Sequence, residues 1–105
     1  MTTNSQPTNT PHYPEQVTGM YILARALKNV GIETVYGLVG IPITEAAYMI
    51  QGQGIRFVGF RHEQQAGMAA ATDGFLTKNP GDIMTVTSIG FMNGLTATAK
   101  AKVNC

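Results

Sequence analysis

Three short runs of β-branched, aliphatic and aromatic residues constrain the fold of this chain most strongly. They are Thr34 to Val39 (TVYGLV), Ile55 to Phe60 (IRFVGF) and Ile83 to Ser88 (IMTVTS). Each has strand length, and none alternates cleanly between apolar and polar residues, as expected for strands covered on both faces. A helical pattern separates each run from the next. Thr18 is placed to cap a leading helix running to about Val30, with Met20, Tyr21, Leu23, Ala24 and Leu27 as its apolar stripe and Gly31 just past its end. A second helix is predicted from about Ile43 to Gln51, stopped by Gly52 and Gly54. A third is predicted over Glu63 to Thr77, and a fourth from about Phe91 onward. Lys78 to Asp82 (KNPGD) reads as a turn.

Strand and helix thus alternate three times after one leading helix. The fold class that follows is α/β, a parallel sheet with helices on both faces, because parallel neighbours need long crossovers that pack back on the sheet. Ligands of such sheets bind beyond the carboxyl ends of the strands. Three junctions fall there: Gly40-Ile41-Pro42, Arg61-His62-Glu63 and Ser88-Ile89-Gly90. Three strands make a thin sheet with open edges, so the domain, residues 17–105, is expected to continue beyond Cys105. Residues 1–16 are polar, with neither Lys nor Arg, and read as a disordered tail.

Composition narrows the function classes. Only 12% of the 105 residues are charged, against about a quarter in ordinary domains, which points to faces buried against other domains or subunits. The net charge is +1 and the basic residues are scattered, so neither nucleic acid nor an anionic membrane is an expected partner. No apolar run is long enough to span a bilayer. The single cysteine, Cys105, allows no internal disulfide, and a reducing, cytoplasmic setting is expected. Dinucleotide and phosphate-loop glycine patterns and the G-x-S-x-G elbow are missing.

The chain has six acidic residues, and one of them, Glu63, stands where the second strand hands over to the third helix. Its simplest role is to complement the helix dipole, worth about 0.3–1 kcal/mol. His62 has no second His or Cys pair to make a metal site, and Arg61 can serve as a solvated loop residue. The helix after Glu63 is more unusual. Gly67, Ala70, Ala71 and Gly74 form a small-residue stripe, although each glycine costs about 1 kcal/mol in a helix relative to alanine. The stripe fits either a tight contact with the sheet or a counterpart helix in a second subunit.

Four segments in this order, VYGLVGIPITE, GFRHEQQAG, AAATDGF and GFMNG, resemble the N-terminal pyrimidine-binding domain of thiamine-diphosphate-dependent decarboxylases. The resemblance covers Thr18 to Cys105 and is greatest to the oxalyl-CoA decarboxylase branch, with the 2-hydroxyacyl-CoA lyases close by. It implies that Glu63 bonds N1′ of the cofactor's aminopyrimidine. That bond favours the imino form of the 4′-amino group, which takes the proton from C2 of the thiazolium. Burial is expected to raise the carboxyl pKa there, with Ile41, Pro42 and Phe60 keeping the pocket dry. The resemblance further implies that Pro42, Gly90 and Asn93 contact the cofactor, the last two from a third loop that also meets the subunit interface. Ile41 would line the substrate side.

The implied cofactors are thiamine diphosphate and Mg²⁺, the metal and diphosphate ligands lying in C-terminal domains absent from this chain. The implied partners are an acyl-CoA substrate, those domains, and further copies in a homo-oligomer. The implied reaction is decarboxylation of oxalyl-CoA to formyl-CoA and CO₂. Cleavage of a 2-hydroxyacyl-CoA is the alternative, and a non-catalytic remnant is another. By itself the chain, carrying the proton-relay half of the site, is expected to turn nothing over. It departs from the family pattern at Gln65 and Ile89, and at Asp82, Lys100 and Lys102, which fall where uncharged residues are expected to pack.

Overall fold

A computed structural model describes residues 16–104; the predicted tail, apart from Gln16, and Cys105 lie outside the described residues. Helix α1 (Gly19–Asn29) starts where Thr18 accepts a hydrogen bond from the Tyr21 amide at 3.2 Å. It ends at Gly31, whose φ of +91° suits glycine and lets the chain turn into the sheet. Strand β1 (Thr34–Gly37) follows, then a 3₁₀ turn (Ile41–Ile43) with Pro42 in its first positions, and helix α2 (Thr44–Gly52). Strand β2 (Arg56–Gly59), helix α3 (Glu63–Thr77), strand β3 (Asp82–Met84) and helix α4 (Ile89–Asn104) complete the order.

The strands form one parallel sheet in the order β2-β1-β3, with Tyr36 opposite Val58 on one side and Ile83 on the other. That order dictates the layers. The chain steps outward from β1 to β2 through α2, then back across β1 to β3 through α3. Crossovers of one hand in opposite directions put their helices on opposite faces. Accordingly Val35, Phe57 and Met84 face α1 and α2 and join Ala24, Leu27, Ile32, Met49, Ile50 and Ile55 in the aliphatic core. Ile83, one residue out of phase, points to α3 and α4, where its Cδ1 lies 3.2 and 3.6 Å from ideal Cβ positions built on Gly67 and Gly94.

The expected elements are all present, with three differences in extent. The strands are shorter than the apolar runs. Gly37 is pressed so closely on the Met84 carbonyl that no Cβ fits between them, and pairing ends just beyond it. β3 starts at Asp82, paired with Val35, and stops at Met84, because the chain must leave the sheet to reach α4. α4 starts at Ile89 instead of Phe91, after Ser88 makes the turn at φ +60°. Gly90 and Asn93 therefore belong to a helix and not to a loop.

The small-residue stripe is used inside the chain. An ideal Cβ on Gly67 would lie 2.5 Å from Ala97 Cβ of α4. One on Gly74 would lie 2.9 Å from Asn79 O and from Gly81 N. Of the two alternatives left open for the stripe, Gly67 and Gly74 follow the one within the chain, where α4 and the α3–β3 turn occupy the space beside them. Lys100 and Lys102 are exposed on α4 within this chain. Asp82 is half-buried, and burial together with Asp73 pushes its carboxyl pKa up.

Candidate functional site

The three junctions meet at the carboxyl end of the sheet, joined through Val86. An ideal Cβ on Gly40 would lie 2.6 Å from Val86 Cγ2, and one on Gly90 would lie 3.3 Å from Val86 Cβ. Glycine at both positions lets the β1 and β3 ends close on the same side chain. Against this floor sits Glu63, the first residue of α3. His62 caps that helix, its Nδ1 accepting from the Gln64 amide at 3.0 Å, which fixes the turn that aims Glu63 toward α4.

Among the described residues Glu63 is the one polar or charged side chain that is buried, with 6% of its surface exposed. Asn93 Nδ2 donates to Glu63 Oε1 at 3.0 Å. Oε2 lies over Gly90, 3.1 Å from where a Cβ would stand. The carboxylate therefore sits at the amino ends of both α3 and α4, where helix dipoles favour negative charge.

The Asn93 hydrogen bond, then the bond from Glu63's own amide, hold the carboxyl below the usual glutamate range, and His62 adds slightly in the same direction. Desolvation opposes them and is outweighed by the two hydrogen bonds. The expected rise in this pKa is thus reversed in the domain as it stands. An ionised, positioned carboxylate can accept a hydrogen bond from a ring N–H or hold a proton shared with a ring nitrogen.

The sequence profile described as thiamine pyrophosphate enzyme, N-terminal TPP binding domain, matches residues 17–105. The chain belongs to this family. Oxalyl-CoA decarboxylase of Escherichia coli (strain K12) is 56% identical to this TPP-binding domain over 90 residues, 86% of the chain and 16% of that relative. 2-Hydroxyacyl-CoA lyase 1 of Homo sapiens is 43% identical over 91 residues, 87% of the chain and 16% of the relative. 2-Hydroxyacyl-CoA lyase 1 of Dictyostelium discoideum is 45% identical over 86 residues, 82% of the chain and 15% of the relative. The chain spans about a sixth of the length of these relatives.

In the TPP-binding domain, Glu63, Gly90 and Asn93 come together, while Ile41 and Pro42 do not join them in a closed pocket. Both are exposed on the 3₁₀ turn, Ile41 at 92%. Phe60 packs on Tyr36 instead, with ring centroids 6.3 Å apart. The dry wall expected from these three residues is therefore not built within the domain. Gly40 belongs to a junction already marked by the sequence, whereas nothing there marks Val86 beyond its place in the third apolar run. Val86 lies just past the end of the edge strand β3, and Gly40 just past the end of its central neighbour β1. Among the described residues no three His, Cys, Asp or Glu side chains gather into a metal site, and no helix is long and apolar enough to cross a membrane.

Proposed function

We propose that this domain supplies the pyrimidine side of a thiamine-diphosphate site in a longer enzyme that decarboxylates oxalyl-CoA to formyl-CoA and CO₂. The observation that carries the site is the buried Glu63 carboxylate, bonded to Asn93 and backed by Gly90. The donor set fits an aminopyrimidine ring. A carboxylate has room for about four hydrogen bonds, so acceptor capacity remains after the Asn93 bond. Glycine behind it lets α4 come close to the carboxylate, where a Cβ would crowd Oε2 and Val86. When bound, thiamine diphosphate supplies the electron sink for breaking a bond to a carbonyl carbon.

The residues of this chain do the rest of what the reading assigns to it. Glu63 accepts the hydrogen bond of the ring nitrogen and holds a proton there. Gly90 and Asn93 shape the wall beside it. Pro42 and Ile41 stand on the neighbouring turn as the cofactor and substrate contacts. Their exposed apolar surface is available to a bound ligand or to another domain that closes the pocket. Mg²⁺ and the diphosphate fall to domains beyond residues 17–105, and the assembled enzyme is a cytoplasmic homo-oligomer.

The higher identity to oxalyl-CoA decarboxylase, 56% against 43–45%, favours oxalyl-CoA over a 2-hydroxyacyl-CoA. The deciding experiment offers each thioester to the longer protein with thiamine diphosphate and Mg²⁺, and follows products by chromatography. Formyl-CoA from oxalyl-CoA is the expected result. Cleavage of the 2-hydroxyacyl-CoA alone would transfer the assignment to the lyases. No turnover of either by a protein that binds the cofactor would favour the remnant.

A further inference from the structure

Asn93, expected from the resemblance to contact the cofactor, also has a partner within the chain. Its side-chain amide donates to Glu63 Oε1 at 3.0 Å. Gly90, one turn earlier on the same face of α4, backs onto Oε2. Two residues of one helix thus treat the two oxygens of one carboxylate differently. Only the NH₂ half of an amide can donate to a carboxylate oxygen, so the orientation of the Asn93 amide is fixed by the contact.

We propose that Asn93 is a positioning residue: it pins Oε1 of Glu63, so that Oε2, over Gly90, is the oxygen offered to the ring N–H of a bound pyrimidine. This rests on the reading of Glu63 given above and assigns the clamp that reading lacked. The same bond favours the ionised carboxylate, since a donor to the charged form stabilises that form.

The other charged and titratable groups around Glu63 act weakly on it. His62, the preceding residue, acts in the same direction as Asn93. Arg61 is exposed on the loop before it. On α4, the cations Lys100 and Lys102 lie at least seven residues beyond Asn93, about 10 Å along the axis. Thr85 to Ser88 and Gly40 to Ile43, the segments closing the site from β3 and β1, carry no charge. Asn93 is therefore the main lever on the ionisation of Glu63.

The test is the titration of Glu63 in the unliganded chain, read by ¹³C carboxyl NMR with Glu63→Gln identifying the signal. Asn93→Asp keeps the shape, removes the donor and adds a second carboxylate. It should raise the Glu63 titration by about one unit or more, a tenfold change in proton affinity. Asn93→Ala should raise it by less. In parallel, calorimetry on the longer protein should show the pH dependence of thiamine diphosphate affinity moving upward in Asn93→Asp, which keeps the inference testable if a variant of the chain fails to fold. A Glu63 titration and a binding profile unmoved in both variants would overturn the proposal. A shifted titration supports the clamp even if Glu63→Gln leaves proton exchange at cofactor C2 intact; in that case only the functional reading fails.

Discussion

The two faces of the sheet are built from different materials. On the α1–α2 face, Ile50, Ile55, Val35 and Ala24 are buried with Leu27, Met49 and Phe57 around them. That is ordinary aliphatic burial, worth about 25 cal/mol per Å² of apolar surface removed from water. On the α3–α4 face, the buried residues are Ala66, Gly67, Ala70, Gly90, Gly94 and Ala97, with the Glu63 carboxylate among them. The large apolar side chains of those helices point outward instead: Phe75, Leu76, Phe91 and Met92 are all more than half exposed. One face contributes burial. The other gives up side-chain volume so that two helices approach closely enough for an amide on one to hold a carboxylate on the other.

If this contrast is right, mutations should separate the faces. The largest effect belongs to the aliphatic side. Ile50→Ala leaves a cavity in the core and should cost about 2–5 kcal/mol of unfolding free energy in urea titration. In the fraction that stays folded, the NMR signals of Glu63 and Asn93 should not move. A shift in those signals would mean that the faces are not independent.

Gly67→Val attacks the other side. Its added carbons meet Ala97 and Ile83, and overpacking of this kind costs about 1–3 kcal/mol. Here the stability loss should come with a weakened Asn93–Glu63 contact, seen as a rise in the Glu63 titration. Full stability together with an unchanged titration would show that the close approach of α3 and α4 is unnecessary.

The smallest effect sharpens the electrostatic half of the contrast. Asp82 and Glu63 are pushed in opposite directions, up by burial and Asp73 in one case, down by hydrogen bonds in the other. A raised carboxyl pKa means that the folded form binds its proton more tightly, so Asp82 destabilises the fold as pH rises through the ordinary Asp value, about 3.9. Asp82→Asn should therefore give a small gain in stability at neutral pH that disappears toward pH 3. Glu63 has the reverse sign: its contribution is present above the ordinary glutamate value, about 4.3, and is lost as pH falls through its lower folded value. Glu63→Gln should flatten the acid limb of a stability–pH curve measured by urea unfolding. An acid limb unchanged by Glu63→Gln would remove the argument for an ionised, bonded carboxylate.

Much of the fold was legible because local signals agreed. Thr18 and Gly31 mark the ends of α1, and Glu63 to Thr77 reads as one helix and is one. Strand ends were less legible, because they depend on pairing. Val86 belongs to an apolar run but has left the sheet, and only β1 and α4 determine where that happens. In the site, the importance of Glu63 could be read from its place at a strand–helix junction. That Asn93 would hold it could not, since the contact spans thirty residues and requires α4 to begin at Ile89. Burial alone predicts a raised carboxyl pKa; that contact reverses the prediction.

The central claim is that Glu63 is the acid–base group on the pyrimidine side of a thiamine-diphosphate site. Hydrogen–deuterium exchange at C2 of the cofactor, bound to the longer protein with and without Glu63→Gln, tests it most directly. The account predicts cofactor affinity kept within about tenfold while exchange slows by two or more orders of magnitude in the variant. Exchange at the wild-type rate in a Glu63→Gln protein saturated with cofactor would contradict it.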